Sequence, residues 1–297
     1  METLNKCPVC NHDRLKAYLS CTDYTVSRET FKVVQCGSCG FRFTNPRPEE
    51  NEIGKYYRSE EYISHSDTSK GFVNKLYLMV RNYTISKKVK LINRLTGNPQ
   101  PAANNLLDIG CGTGEFLNAC KENGWNVTGI EPSEVARKNA EQKYNIIPLS
   151  PEKLFEISEK KFNVITLWHV LEHVHRLDTT IDRINKILSD EGVLIIAVPN
   201  CGSRDAKKYE SHWAAWDLPR HLYHFTKKDI EALFKKFGFK LSEVLPMKFD
   251  SFYVSLLSEK YKTGKSNLIS GFWNGLISNS SAKENGYSSQ IYILKKS

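Results

Sequence analysis

Hydrophobic residues along this chain form short runs that predict strands. The central runs lie at 105–109, 125–130, 162–167 and 193–198, and others lie at 146–149, 239–245 and 289–294. The run at 193–198 is apolar throughout, which is typical of a strand in a parallel sheet that is buried on both faces. Together these runs predict the strands of one large sheet.

Between these strands, apolar residues recur at helical spacing. Helices are predicted at 115–120, 133–144, 177–188 and 226–237. Ser133 is expected to cap the second of them, and Thr226 forms a capping-box-like pair with Asp229 at the start of the last. Strands that alternate with helices predict an α/β fold.

The N-terminal part of the chain has a different pattern. Short strands are predicted at 16–19 and 31–35, and residues 41–44 alternate with a period of two. Pro46 and Pro48 then mark a boundary, because proline biases the chain away from helix. We expect a small module at 1–45, a linker with an amphipathic basic helix at 46–100, and the main domain at 101–297.

Two segments outside this alternation are also predicted to be helical. The linker helix spans 72–95 and ends before Gly97, Asn98, Pro99 and Pro101. An insertion at about 250–285 contains helical stretches at 252–261 and 268–277. The sequence leaves open whether this insertion is a substrate lid or a dimer surface.

Composition narrows the class of protein. Of the 297 residues, 40% are hydrophobic and 25% are charged, which excludes a disordered, collagen-like or coiled-coil chain. No apolar run reaches the length of about 18 residues that a membrane span needs, and the N-terminus carries no secretory signal. We therefore expect a cytoplasmic protein whose thiols stay reduced.

The charge of the chain is uneven. Lys+Arg number 42 and Asp+Glu 33, and the stretch from Lys70 to Arg94 contains seven basic residues and no acidic one. Such a stretch attracts nucleic acid, a membrane surface or a phosphorylated substrate. A solvated helix face explains the same charge, and both interpretations stay open.

Four cysteines form two closely spaced pairs in the N-terminal module, Cys7 with Cys10 and Cys36 with Cys39. Two such pairs let four thiolates bind one tetrahedral Zn²⁺, with no position left for catalysis. We therefore expect a zinc-ribbon-like module with a structural zinc ion. Cys21 and His12 are spare ligands if one pair were broken.

A glycine-rich loop follows the strand at 105–109. It contains Gly110, Cys111, Gly112 and Gly114, and a helix begins directly after it. Glycines let a backbone approach a ligand, and the helix N-terminus favours negative groups. The spacing fits neither the dinucleotide fingerprint nor the phosphate-binding loop of nucleotide hydrolases.

The segments LLDIGCGTGEF at 106–116 and GIEPS at 129–133 resemble those of class I S-adenosylmethionine-dependent methyltransferases. The resemblance implies a seven-stranded, Rossmann-like sheet with a last antiparallel strand, here 289–294. It also implies that Asp108 orients the glycine loop and that Glu131, beside Pro132, holds the cofactor's ribose. The loop glycines and Cys111 would face the methionine part of the cofactor, and Trp168 and His169 would border it.

Candidate catalytic residues follow the strand at 162–167. His169, Glu172 and His173 would share one face if this stretch were helical. Some O-methyltransferases of the class hold Mg²⁺ with a similar triplet, although here His169 replaces its first acid. A structural role for Glu172 and His173 is the alternative, and His169 is kept as a residue near the cofactor.

A long aromatic loop follows the strand at 193–198, where open α/β sheets bind ligands. His221 and His224 are candidates for a general base, because histidine titrates in the useful range. Either histidine can instead pack on Trp216 and cap the next helix. Arg220 is a candidate for binding an acceptor phosphate, and Tyr56 and Trp216 are expected to bind substrate.

The whole chain looks like bacterial small-molecule methyltransferases of glycan or secondary-metabolite pathways. Its expected partner is a small-molecule acceptor, most simply a sugar, a nucleotide-sugar or a glycan precursor. An RNA methyltransferase is the first alternative, since some such enzymes join a zinc module to this fold. A cofactor-binding scaffold without catalysis is the second. The sequence does not identify the acceptor atom or the oligomeric state.

Overall fold

The computed structural model describes residues 1–57, 72–97, 104–265 and 267–297 of the chain. Within these residues it contains ten strands and nine α-helices. The strands are β1 (Leu15–Thr22), β2 (Thr30–Cys36), β3 (Arg42–Thr44), β4 (Asn105–Ile109), β5 (Asn126–Ile130), β6 (Phe162–Trp168), β7 (Leu188–Pro199), β8 (Tyr223–His224), β9 (Phe239–Pro246) and β10 (Ser289–Lys296).

The α-helices flank the strands and fill the late insertion. They are α1 (Phe72–Thr96), α2 (Glu115–Glu122), α3 (Glu134–Tyr144), α4 (Leu177–Ile187), α5 (Arg204–Tyr209), α6 (Lys227–Lys235), α7 (Asp250–Thr263), α8 (Leu268–Ser280) and α9 (Ala282–Asn285). Short 3₁₀ turns lie at Ile53–Tyr57, Pro151–Glu156, Leu171–His173, Glu210–His212 and Ala214–Trp216. Lys70 and residues 98–101, which entered the sequence predictions, lie outside the described residues.

The larger sheet has six strands in the order β5-β4-β6-β7-β10-β9. Its first four strands are parallel, and β10 runs antiparallel between β7 and β9. Side chains alternate across the sheet, so Ile165 joins the apolar cluster on one face and Val164 the cluster on the other. The predicted class I α/β fold with a last antiparallel strand is confirmed.

The predicted count of seven strands is wrong by one. The segment 146–149 makes a single bridge, in which Leu149 lies beside Ile130 at the sheet edge. Pro148 has no N–H to donate, so the segment does not continue the ladder, although Ile146 is buried and Ile147 is 69% exposed. It therefore ends the sheet as an edge contact.

Helix starts follow the predicted capping residues. The Ser133 side chain accepts a hydrogen bond from the backbone N–H of Ala136 at 3.3 Å. Thr226 and Asp229 form a complete capping box at the start of α6. The two helical stretches predicted in the insertion correspond to α7 and α8, which pack on each other.

The smaller sheet joins the N-terminal strands to a strand from the other end of the chain, in the order β1-β2-β3-β8. Phe43 of β3 pairs with Tyr223 of β8, and Arg42 pairs with His224. Phe41 packs on the rings of Tyr223 and Phe225, at centroid distances of 6.1 and 5.5 Å. The N-terminal strands therefore pair with the loop that follows β7.

Within the described residues, no helix has both the length and the apolar character that crossing a membrane requires.

Candidate active site

The glycine loop leaves β4 at the carboxyl edge of the sheet and begins α2. Gly110, Gly112 and Gly114 have φ angles of 75°, 56° and 85°, in the left-handed region that favours glycine. A Cβ on Gly110 would lie 2.3 Å from Cγ2 of Val170, whereas one on Gly112 would meet no described non-neighbouring atom within 4 Å. Gly110 therefore allows close packing, and Gly112 faces space in which a ligand can approach the backbone.

Glu131 follows β5 and binds the glycine loop directly. Its Oε2 accepts a hydrogen bond from the backbone N–H of Gly112 at 2.8 Å, and its Oε1 accepts one from Ser133 at 2.9 Å. Burial raises the pKa of this carboxyl group, and these two hydrogen bonds oppose the rise. Pro132 is exposed beside it, and its carbonyl accepts a hydrogen bond from Arg137. The carboxylate keeps further lone pairs for a ribose hydroxyl.

Asp108 lies under the loop at the end of β4. It is 2% exposed, and its Oδ1 accepts a hydrogen bond from the Thr166 hydroxyl at 2.6 Å. Burial raises the pKa of Asp108 to about 7 despite this bond and the charge of Lys88. Its position fits the predicted role of orienting the loop.

Trp168 ends β6 and forms an aromatic corner beside the loop. Phe116 of α2 contacts it edge-to-face at 5.7 Å, and the Lys88 ammonium lies 4.0 Å from its ring centroid. Cys111 is buried in the same apolar cluster. Lys88 comes from α1, so the linker helix reaches the candidate cofactor site.

His169 follows Trp168 with a φ of 57° and links the sheet to the insertion. Its Nε2 lies 3.0 Å from Oδ2 of Asp250, and its Nδ1 lies 3.4 Å from Oε1 of Glu172. Burial alone would lower the pKa of His169, but the proximity and charges of these two acids raise it to about 10. The raised pKa favours the imidazolium form, which has no lone pair to accept a proton, and so does not favour His169 as a general base.

Glu172 is buried beside His169, whose Nδ1 lies 3.4 Å from its Oε1. It is 1% exposed, and neither carboxylate oxygen receives a hydrogen bond of good geometry from the described residues. Nε2 of His221 lies 4.0 Å from its Oε1. A buried carboxylate is costly unless charged or polar partners surround it, and the neighbouring histidines supply such partners for Glu172.

Two histidines complete the surroundings of Glu172. Nδ1 of His173 lies 3.0 Å from the Arg220 carbonyl oxygen, and Nδ1 of His221 lies 2.9 Å from that of Ala215. A carbonyl only accepts, so Nδ1 donates in both rings. Burial, followed by the charge of His221, lowers the pKa of His173 to about 4.

Glu172, His173 and His221 together offer three ligand atoms that lie within 4.8 Å of one another. Two imidazoles and one carboxylate are a donor set that divalent cations accept, and the bonds from Nδ1 to carbonyls orient both rings. This group differs from the predicted triplet, because His221 takes the place of His169. His169 lies beside the group and contacts both Glu172 and Asp250.

The prediction that Arg220 binds an acceptor phosphate is not supported by its surroundings. The residue is 2% exposed, and its guanidinium donates hydrogen bonds to other groups of the protein. It donates to Asp217 at 2.6 and 3.0 Å, to the Tyr56 carbonyl at 2.8 Å and to Asp23 at 3.1 Å, and also to Thr25. All three guanidinium nitrogens donate to groups inside the protein, so the structure gives Arg220 a structural role and does not favour one in binding the acceptor.

His224, Trp216 and Tyr56 are also placed inside the protein rather than in an open site. His224 is 4% exposed, lies 3.2 Å from the Thr44 hydroxyl through Nε2, and contacts the Trp216 ring edge-on. Burial lowers its pKa well below the usual value, and its buried position does not favour it as the general base. Trp216 donates to the Glu210 carbonyl, and Tyr56 donates to Glu29.

Three residues near the site were missed by the sequence predictions. Tyr57 places its hydroxyl 2.9 Å from Nδ1 of His173. Lys88 covers Trp168, and Asp250 pairs with His169. They come from the linker, α1 and α7, and no local spacing connects these segments with β6.

The four cysteines of the N-terminal module lie together. Sγ of Cys7 is 3.6 Å from that of Cys39, and Sγ of Cys10 is 3.5 Å from that of Cys36. All four sulfurs lie within 4.8 Å of one another, which fits a closed structural Zn²⁺ site. The spare candidates lie apart from this group: Cys21 is buried in another apolar cluster, and His12 accepts a bond from Arg14.

Comparison with known proteins adds to this geometry. Residues 80–244, more than half of the chain, match a family model described as a methyltransferase domain. The chain is similar to a ubiquinone biosynthesis O-methyltransferase of Actinobacillus pleuropneumoniae, with 34% identity over 48% of this chain and 68% of that protein. A second protein of that name, from Pelagibacter ubique, is 35% identical, and the chain spans about half of it, 47%.

Solved structures of low sequence identity share the fold. A magnesium protoporphyrin IX methyltransferase of Synechocystis superposes with a TM-score of 0.53 at 16% identity, covering 84% of this chain and all of that one. A protein described as a sarcosine dimethylglycine methyltransferase of Galdieria sulphuraria superposes with a TM-score of 0.52 at 12% identity, covering 75% of this chain and 88% of that one.

We predict that Cys36→Ser lowers the zinc content of the purified protein from about one ion per chain to near zero, because three thiolates hold the ion poorly. Elemental analysis measures the metal, and the matched control is Cys21→Ser, a buried cysteine outside the group. A Cys36→Ser protein with the zinc content of the wild type would contradict ligation by the four cysteines.

We predict that Glu131→Ala weakens the binding of S-adenosylmethionine at least about tenfold, since the loop loses a charged hydrogen-bond acceptor. Titration calorimetry measures the affinity. The control is Glu134→Ala, which removes an exposed acid from the next helix. Equal affinities of the Glu131→Ala and control proteins would remove Glu131 from the cofactor site.

Proposed function

This chain belongs to the family of methyltransferase domains and is an S-adenosylmethionine-dependent methyltransferase, and we propose that it methylates a hydroxyl of a small anionic acceptor. A sugar, a nucleotide-sugar or a glycan precursor is such an acceptor. The observation that carries the proposal is the buried group of Glu172, His173 and His221. This group lies next to the cofactor loop, because Val170 packs on Gly110.

Transfer of a methyl group to a hydroxyl requires a base that accepts the hydroxyl proton. The methyl carbon leaves the cofactor's sulfur and bonds to the acceptor oxygen, while the hydroxyl proton passes to a base. We assign this role to His221, because its Nδ1 is held by Ala215 and its Nε2 lies at the Glu172 carboxylate. Glu172 stabilises the imidazolium that forms, as a carboxylate does in other acid–base pairs.

Lys88 near the cofactor loop supports an anionic acceptor, since its ammonium lies 4.0 Å from the Trp168 ring centroid. Burial lowers the pKa of Lys88, and the nearby Asp108 and Asp250 oppose this change. His169 adds no net charge, because it lies between the carboxylates of Asp250 and Glu172. Lys88 therefore replaces Arg220 as the candidate for attracting a negative substrate.

The same donor set fits a divalent cation. Glu172, His173 and His221 would hold the ion, and an ion bound there would lower the pKa of a hydroxyl that coordinates it. The carbonyl of Arg220 orients the imidazole of His173, and that of Ala215 orients the imidazole of His221. This orientation suits both proton transfer and cation binding. A chelation experiment separates the two roles.

The curated relative from Actinobacillus pleuropneumoniae supports the choice of oxygen as the acceptor atom, since its name states O-methylation in ubiquinone biosynthesis. It also supports a small acceptor over RNA. The proposal that the acceptor is negatively charged rests instead on Lys88 at this chain's own site.

The proposal is tested by incubating the protein with methyl-labelled S-adenosylmethionine and a size-fractionated cell extract. We expect label in the low-mass fraction, in a product that binds an anion exchanger. Label in nuclease-sensitive, high-mass material would show an RNA methyltransferase instead. Absence of label from every fraction, with cofactor binding intact, would support a non-catalytic scaffold.

We predict that Glu172→Gln lowers kcat at least about a hundredfold, because the neutral amide no longer stabilises a cation on His221. The affinity for S-adenosylmethionine should change less than about twofold, since the glycine loop and Glu131, rather than Glu172, are expected to bind the cofactor. Label transfer and calorimetry measure the two quantities. Glu210→Gln, an exposed acid of the following loop, is the control. Unchanged kcat in the folded Glu172→Gln protein would exclude the group from catalysis.

We predict that brief treatment with a chelator leaves activity intact if His221 acts as the free base. The zinc content is measured in the same sample to show that the cysteine site keeps its ion. Loss of activity that Mg²⁺ or Mn²⁺ restores, with zinc unchanged, would contradict the free-base role and assign the group to cation binding.

A further inference from the structure

Helix α8 carries its large apolar side chains on its outward face. Leu268, Ile269, Phe272, Trp273, Leu276 and Ile277 are between 38% and 72% exposed. The helix contains no charged residue. An ordinary surface helix turns such residues toward the core and its polar residues toward water. The pattern of α8 is therefore inverted.

Small residues on the inward face of α8 cause this inversion. A Cβ on Gly271 would lie 2.9 Å from Cα of Leu256, and one on Gly275 would lie 2.9 Å from Cα of Phe252. The backbones of α7 and α8 thus approach too closely for a larger side chain between them. Helices that pack through small residues and face outward with large apolar ones are typical of a lipid environment.

The apolar surface continues beyond α8. The ring of Phe272 stacks on Phe252 of α7 at 5.3 Å, and Phe249 contacts Tyr83 of α1 at 5.8 Å. Phe249 and Tyr83 are themselves 45% and 50% exposed. Contiguous apolar surface of this kind marks an interaction site rather than the scattered exposure that monomers tolerate.

We define the apolar face as the six residues of α8 named above together with Phe249 and Tyr83. Basic side chains lie around it. Lys248, Lys262, Lys265 and Lys283 are exposed, and Lys87 lies over the Tyr83 ring at 5.3 Å. Two nearby acids have partners: Asp250 pairs with His169, and Glu259 accepts hydrogen bonds from Tyr209 and Asn274. Glu284 is exposed. The rim is therefore positive overall.

We propose that the apolar face docks on the surface of an anionic lipid bilayer, with α8 lying in the interface. Apolar side chains enter the headgroup region, Trp273 occupies the depth that tryptophan prefers, and the lysines contact acidic headgroups. A second copy of the chain fits less well, because pairing through this face would bring two sets of lysines together.

Vesicle sedimentation tests the proposal with the full-length protein. We expect the wild type to sediment with vesicles of phosphatidylcholine and phosphatidylglycerol, and to bind vesicles of phosphatidylcholine alone at least about tenfold more weakly. The double variant Ile269→Asp with Trp273→Asp should bind the anionic vesicles at least about tenfold more weakly than the wild type.

The matched controls place the same charge on exposed apolar residues elsewhere, Val135→Asp and Ile147→Asp, whose parent side chains are 68% and 69% exposed. Thermal unfolding shows whether each variant is folded. We expect no loss of stability, because the substituted side chains are all exposed. The fluorescence of Trp273 is obtained as the difference between the spectra of the wild type and of Trp273→Phe. Its emission maximum should shift to shorter wavelength when anionic vesicles are added.

Three results would overturn the proposal. The first is a wild type that stays in the supernatant with anionic vesicles. The second is a folded double variant that binds as tightly as the controls. The third is a wild-type dimer in solution that the double variant converts to a monomer, because a second copy would then cover the face.

Discussion

The buried guanidinium of Arg220 is the contact on which the arrangement of the candidate active site depends. It lies between Asp217 in its own loop and Asp23 in the N-terminal module, and it also binds the Tyr56 carbonyl. Burial opposes the ionised state of Asp23, but backbone hydrogen bonds and Arg220 lower the pKa of this acid to about 2. A buried charge of this kind is tolerated only with its partners in place, so the module and the loop are fixed relative to each other.

This constraint gives the N-terminal module a part in shaping the active site. The Thr44 hydroxyl donates to the carbonyl of His221 at 2.6 Å, and the N–H of Leu222 donates to the carbonyl of Glu172 at 2.7 Å. The backbone of His221 is therefore held by β3, and the backbone of Glu172 is held by the loop that contains Leu222. Zinc bound by the four cysteines would act at a distance, by stabilising the sheet that holds His221.

The parts of the molecule that the sequence predicted are those with local signals. The glycine loop, the cysteine pairs, the capping residues and the alternation of strands and helices each depend on spacing within a short segment. The internal partners of Arg220 were not predicted, because Asp23 lies 197 residues away. The burial of His224 was missed for a similar reason, since Thr44 contacts it from another strand. The pairing of His169 with Asp250 depends on how the insertion folds back, which no local pattern encodes.

The most direct test of this account is the kinetic effect of Asp23→Asn, which weakens the bond to Arg220 and leaves the glycine loop unchanged. The account predicts a fall in kcat of at least about tenfold, with an affinity for S-adenosylmethionine within about twofold of the wild type. Asp13→Asn, an exposed acid of the same module, is the control and should change neither quantity. A folded Asp23→Asn protein with the kcat of the wild type would contradict the claim that the module positions the active site.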